Sequence, residues 1–367
     1  MKVMVLGGYG NFGARISRAL AGNAGIELLV AGRSEAKAEG FAQNLTGARG
    51  VAVDWSATGF VDHLRAWNVG LVIHSAGPFQ GQGYGVARAS AAAGAHYIDL
   101  ADGRRFVCDF PVHMDASFKA AGCVGITGAS TVPALSSAVV EALTLGWAQL
   151  DAVDICIAPA QTAPRGVATL EAVLSYCGKS VPVWQEGRWQ ERIGWAELQR
   201  VEFLRLKPRV GAICDIPDLE LFPKRYGVRD RVVFRAALEV SLTQRALALL
   251  ARLRRAGVWP RPDKLARMLN AGAPVFDRWG SALGGMVVRV AGLNENCQLD
   301  HKAWHIAADH DHGPEIPCMA AIVLARRLAQ GEAMPAGARA CVGLHQLGEF
   351  APEFAKWGMV TDIVRGA

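Results

Sequence analysis

Short apolar runs alternate with alanine-rich stretches through the first third of the chain. The runs Lys2–Gly7, Glu27–Ala31, Gly50–Val53, Leu71–Ser75, Tyr97–Leu100 and Val124–Thr127 are predicted strands. Four of them are short and continuously apolar, the pattern of strands covered on both faces. Between them Phe12–Ala21, Gly85–Ala93 and Val112–Ala121 carry apolar residues three or four apart, which predicts helices. Such alternation predicts an α/β fold with a doubly wound parallel sheet.

The pattern changes after Gly128. Ser130, Thr131 and Pro133 form a start signal for a connecting helix through about Leu145. Further strand candidates follow at Val153–Ala158, Val181–Trp184, Val201–Leu204, Val232–Leu238 and Met286–Val290. Tryptophans at positions 184, 189, 195, 279 and 304 suit a half-covered antiparallel sheet, or one that pairs with another subunit. Ile316–Ala329, alanine and leucine throughout, reads as a buried helix that returns to the first domain. The expected organisation is a first domain over 1–130, a second α+β domain over 131–312, and a helical segment over 313–367 packing back on the first.

Gly8-Tyr9-Gly10-Asn11-Phe12-Gly13 directly follows a predicted strand and opens a predicted helix. In that context G-x-G-x-x-G signals a Rossmann dinucleotide loop: the first glycine for the turn, the second for approach to the pyrophosphate, the third for helix packing. Amides at the helix start would face the phosphates. About twenty residues beyond such a loop, an NAD site usually has a carboxylate for the ribose hydroxyl. Here Ala31-Gly32-Arg33-Ser34 occupies that place. The Arg33 guanidinium can clamp a 2′-phosphate, with Ser34 as a further donor, so NADP(H) is expected rather than NAD(H). Asp54, ending the third strand, suits an adenine amino contact or a plain turn. His74-Ser75-Ala76-Gly77-Pro78-Phe79 brings small residues to the sheet's carboxyl edge and is expected to flank the nicotinamide.

With this loop, Ala31-Gly32-Arg33-Ser34, Ala76-Gly77-Pro78-Phe79 and Tyr97-Ile98-Asp99-Leu100-Ala101-Asp102 in order, the chain resembles the saccharopine dehydrogenase-like NADP-binding family. The resemblance extends into Gly128–Pro133 and Gly313–Pro317. It implies a Rossmann domain with a second α+β domain, a homodimer formed through the latter, and a reductase or dehydrogenase acting at an amine or imine carbon of a small substrate. The short-chain dehydrogenase motif Tyr-x-x-x-Lys is absent: Tyr84, for example, is followed four residues on by Arg88.

Asp99 and Asp102, at and beyond the fifth strand's end, are candidates to orient a cationic amine or shuttle a proton, Asp99 first. His74 is the nearby group best matched to neutral pH, although a lone histidine on a buried strand is more often a core residue. A substrate carboxylate, as the resemblance implies, would call for a guanidinium, with Arg104 and Arg165 as candidates. His301, His305, His310, Asp311 and His312 cluster in sequence, but the His-Glu-x-x-His pattern is missing and the alternation around Trp304 is that of a strand. No metal is expected. Binding without turnover, as a sensor or scaffold, and reduction of an apolar or lipid-like substrate remain as alternative readings.

Composition narrows the picture further. The 367 residues are 51% hydrophobic and 20% charged, which suits two globular domains. No run of eighteen apolar residues occurs, and a soluble cytoplasmic protein without membrane insertion is expected. The eight cysteines are dispersed without a C-x-x-C pair, so a disulfide framework is not expected. The net charge of +6 would suit nucleic acid if spread over a face. It is instead confined to Arg245–Arg278, where eight basic residues meet two acidic ones. Alternation with leucine and alanine at helical spacing, as in Leu247, Leu249, Leu250 and Leu253, reads as the solvated face of an amphipathic helix. A membrane-surface patch is the second reading of that stretch.

Overall fold

The structure, a computed structural model, describes residues 1–164, 167–258, 268 and 271–366. It divides into two compact units, Met1–Ala134 with Glu315–Cys341, and Leu135–Pro314 with Val342–Ala367.

The first unit is built on β1 (Lys2–Leu6), β2 (Glu27–Gly32), β3 (Ala48–Ala52), β4 (Leu71–His74), β5 (His96–Asp99), β6 (Val124–Thr127) and β15 (Gly337–Ala340). All pair in parallel, in the order β15-β6-β5-β4-β1-β2-β3. The connections reverse direction between β1 and β4, which opens a crevice at the carboxyl ends of these strands. β1, β2, β4 and β6 are buried almost throughout, as their unbroken apolar runs require. Helices α1 (Asn11–Leu20), α2 (Glu35–Ala42), α3 (Phe60–Ala66), α4 (Gly85–Ala92) and α5 (Arg104–Ala120) connect them.

α5 begins eight residues before the predicted helix and carries Pro111 inside it. A proline lacks the donor for one helical bond, so the sequence pattern stops there. The buried row Phe106, Val107, Phe110, Met114 and Phe118 carries the helix through. The stretch 313–367 is not one helical piece. Helix Ile316–Ala329 packs on α1, and β15 adds a seventh strand beside β6. The chain then leaves for the second unit, where β16 (Val360–Arg365) pairs with β14 (Leu299–Ala308). Backbone pairing, which composition does not show, makes that division.

An irregular turn at Thr131–Leu135, where one helix was expected, carries the chain from the first unit into the second, which begins with α6 (Ser136–Leu143). Its sheet contains β7 (Gln149–Ala158), β10 (Leu198–Val201), β11 (Arg209–Ile213), β12 (Arg231–Ala236), β13 (Gly284–Leu293), β14 and β16, in the order β10-β11-β12-β7-β13-β14-β16. A hairpin of β8 (Ser180–Gln185) and β9 (Arg188–Ile193) joins it through Trp184 opposite Val232. Only β12 and β7 run parallel among the described strands of this sheet. Of the tryptophans, Trp195 and Trp304 are buried, and Trp184 meets Trp189 edge-on at 5.3 Å across the hairpin.

Helices α7 (Val167–Tyr176), α8 (Asp218–Tyr226) and α9 (Ser241–Arg255) complete the second unit. α9 is an amphipathic helix whose Arg245, Arg252 and Arg255 are exposed. Its buried row is Gln244, Ala248 and Ala251, while Leu242 and Leu249 are exposed and Leu247, Leu250 and Leu253 are half-buried. The two alanines let the helix lie close to β11 within this unit, and the leucines are left exposed or half-buried. Arg261, Lys264 and Arg267 of the basic stretch lie outside the described residues.

Candidate functional site

The glycine loop joins β1 to α1 at the crevice. The turn falls one residue earlier than the motif suggests: Gly7, not Gly8, is left-handed, with φ at +75°. Gly7 and Gly8 both donate their N–H to the Ala31 carbonyl, at 2.9 and 3.0 Å, which ties the loop to β2. A Cβ on Gly13 would fall on the Gly7 carbonyl and against Ser75 Oγ, so no larger residue lets α1 begin here. Gly10 is the N-cap residue of α1 and offers no side-chain cap, so the helix start is the kind of terminus at which a phosphate binds.

Tyr9 lies over Gly32, where a Cβ would strike its ring, and its hydroxyl accepts from Ser34 N–H at 3.2 Å. Ser34 Oγ caps α2 by accepting from Lys37 N–H. Arg33 between them is exposed. Asp54, also exposed, accepts from Ser56 N–H at 2.9 Å and Ser56 Oγ at 2.6 Å. These bonds, and then the nearby Arg33 guanidinium, hold its carboxyl below the usual range. The turn and the cofactor reading of Asp54 are thus compatible: the turn fixes a carboxylate beside the arginine.

At the end of β4, Ser75 Oγ donates to the Leu6 carbonyl at 2.7 Å beneath the loop. Ala76 and Pro78 present carbonyls that both accept from Gln82 Nε2 at 2.9 Å, and Gly77 between them is exposed. Gln82 therefore shapes the segment expected to flank the nicotinamide, a role absent from the sequence reading. A lone glutamine in a Gly-rich loop gives no pattern to find it by.

Two of the candidate catalytic groups are buried in this arrangement. His74 is buried, with Nε2 at 3.1 Å from Gln82 Oε1, and its ring lies among Trp55, Phe79 and Tyr97 at 5.7, 5.1 and 6.4 Å. Burial lowers its pKa to about 4, so it is neutral at neutral pH and not the titrating group expected there. Asp99 is fully buried, and its Oδ1 accepts from Ala101 N–H, Thr127 Oγ1 and Gly128 N–H at 2.9, 2.9 and 2.8 Å. It clamps the ends of β5 and β6 together. Burial lifts its pKa to about 6 against the effect of those donors.

Asp102 differs from both. Solvent reaches it, its Oδ1 accepts from Gln80 Nε2 at 3.0 Å, and the protein around the carboxyl raises its pKa above the ordinary value. This is a recessed but accessible acid. Arg104 is buried in the first turn of α5 rather than projecting into solvent. Arg165 lies outside the described residues. In the second unit His301 is exposed on β14 while His305 is buried, its Nδ1 accepting from Leu204 N–H at 3.3 Å. Among the described residues no three metal-ligating side chains converge.

α1 is held from behind by the returning helix. Arg15 pairs with Glu315 at 2.8 Å, Cys318 Sγ donates to the Phe12 carbonyl at 3.6 Å, and Arg326 reaches Asn23 Oδ1 and the Ala19 carbonyl at 3.0 Å each.

The uncapped helix start, the glycine that a Cβ would block and the exposed Arg33 fit NADP(H). Residues 3–138 match the saccharopine dehydrogenase NADP binding domain. No curated protein matches the chain. Among solved structures, the fold is similar to that of apo saccharopine dehydrogenase (L-Glu forming) from Saccharomyces cerevisiae, with TM-score 0.73 and 12% identity over 100% of both chains. It is also similar to homospermidine synthase from Legionella pneumophila in complex with NAD, with TM-score 0.61 and 9% identity over 99% of this chain and 91% of that one. At such identities the likeness is one of fold. Residues 3–138 are thus a saccharopine dehydrogenase-type NADP-binding domain, with NADP(H) as its cofactor.

Proposed function

We propose that this protein is an NADP(H)-dependent oxidoreductase acting at an amine, imine or carbonyl carbon of a small substrate. One observation carries the cofactor half of the reading: Arg33 is exposed beside Asp54, at the end of the strand whose carboxyl edge the glycine loop grips. Bound NADP(H) supplies or accepts the hydride. The residues around it position and exclude: Gly10 and the first-turn amides of Asn11, Phe12 and Gly13 receive the pyrophosphate, and Arg33 with Ser34 receives the 2′-phosphate. Ser75, Ala76, Gly77 and Pro78, shaped by Gln82, form the wall against the nicotinamide.

Asp102 is the acid assigned to the substrate, where it orients a cationic amine or carries a proton. Its raised pKa and access to solvent support that role, and the burial of Asp99 and His74 withdraws them from it. The substrate class draws on the names of the two similar enzymes, a saccharopine dehydrogenase forming L-Glu and a homospermidine synthase, both of which concern amino compounds.

Fluorescence titration with NADPH and NADH, repeated on Arg33→Asp, tests the cofactor assignment. NADPH is expected to bind about tenfold or more tightly than NADH, with that preference lost in the variant. Equal binding of both by the unaltered protein overturns the assignment of Arg33. Once a substrate is found by an amine and keto-acid screen, Asp102→Asn should lower kcat about a hundredfold with cofactor binding retained. Unchanged turnover excludes Asp102.

A further inference from the structure

The outward face of α9 carries what a folded unit normally hides. Its exposed row Leu242, Ala246, Leu249, with half-buried Leu253 following, repeats every three or four residues. Leu242 and Leu249 expose 61% and 58% of their surface. Arg245 and Arg252 flank that row, and Arg255 is exposed at its end. Arg254 differs, because its Nη1 caps the carbonyls of Leu174, Ser175 and Cys177 within the unit. None of Arg245, Arg252 and Arg255 pairs with an acid among the described residues, and the sequence from Ser241 to Val258 contains no acidic residue.

We propose that this face docks the protein onto an anionic lipid membrane, with α9 lying in the plane of the headgroups. Leucines at the centre of an exposed helical face enter the acyl boundary, while flanking guanidiniums extend their stems along it and meet lipid phosphates. Charge argues against a second copy of the chain as the occupant, since apposing two such faces would bring arginine against arginine. A further interfacial pair occurs in the same unit, where exposed Trp279 lies under the Arg278 guanidinium at 4.8 Å, near exposed Val275. No helix among the described residues is long and apolar enough to cross a membrane, so the contact is peripheral.

The face belongs to the second unit and the NADP(H) residues to the first, and its test is independent of the proposed reaction. The full chain is mixed with vesicles of phosphatidylcholine alone, or of phosphatidylcholine with phosphatidylglycerol, and separated by flotation. It should float with the anionic vesicles only, less so as salt is raised. Leu249→Ser with Arg252→Gln should weaken binding about tenfold or more, and Leu242→Ser with Arg245→Gln, on the first two turns, should repeat that loss. Both variants should titrate with NADPH as the unaltered chain does, which shows that they are folded. Absence of flotation with anionic vesicles overturns the proposal, as does equal flotation with neutral ones or undiminished binding by both variants. A dimer seen by light scattering that Leu249→Ser dissociates, with no vesicle binding, assigns the face to a second copy instead.

Discussion

Asp99 and His74 are register partners on adjacent strands, buried together with opposite consequences for pH. Burial raises Asp99 to about 6, so the stability its neutral form contributes is complete below a carboxylate's ordinary pKa near 4 and is lost as pH rises through 6. His74, lowered to about 4, contributes stability that is complete above the ordinary imidazole value near 6.5 and is lost as pH falls through 4. Between about 4 and 6 the two slopes oppose each other. Urea unfolding across that window should show Asp99→Asn gaining stability with pH relative to the unaltered chain, and His74→Gln losing it, each by roughly 2–3 kcal/mol. Parallel curves for all three chains would refute the assignment of these shifts. Asp218, raised by burial to about 7, acts in the same sense as Asp99 but is common to all three chains and cancels from the comparison. The sequence placed both residues correctly at strand ends. It did not show that both point into the core, because the inward or outward sense of a strand end is set by what packs over it.

At the scale of elements, α1 and its glycine loop were legible because spacing alone marks them: a strand, glycines at fixed intervals, then a helix. The support behind α1 was legible only as an apolar helix without an address. Arg326 is the clearest link between the two, since it bonds both the Ala19 carbonyl and Asn23 at the end of α1. Arg326→Ala should lower stability by about 1–3 kcal/mol and the melting temperature by a few degrees, with added NADPH recovering part of that loss. A melting curve that does not move would mean that Arg326 contributes nothing to α1. α9 gives the converse lesson. Its amphipathic spacing was readable, but the face it buries was not, because Ala248 and Ala251 allow a closer approach than leucine does and Gln244 turns inward to accept from Leu238 N–H.

At the scale of the molecule, the first unit is discontinuous, since Glu315–Cys341 completes a sheet begun by Met1–Ala134. Without that return the β6 edge is unpaired and the back of α1 is uncovered. A chain of residues 1–134 alone should therefore fail to bind NADPH. The same residues joined by a flexible Gly/Ser linker to 315–341 should bind it within about tenfold of the full chain. Binding by 1–134 alone would show that the returning helix and β15 are dispensable.

The sequence by itself determined the parallel sheet, the glycine loop, the exchange of a carboxylate for Arg33 and the NADP-binding domain that they mark. Each is written in local spacing, and local spacing survives without knowledge of distant contacts. Tertiary structure alone decided that Gly7 makes the turn, that Gln82 shapes the loop after β4, that Asp102 rather than Asp99 meets solvent, and that 313–367 divides between two units. Those outcomes depend on which buried surface each segment covers, and burial is a property of the folded whole.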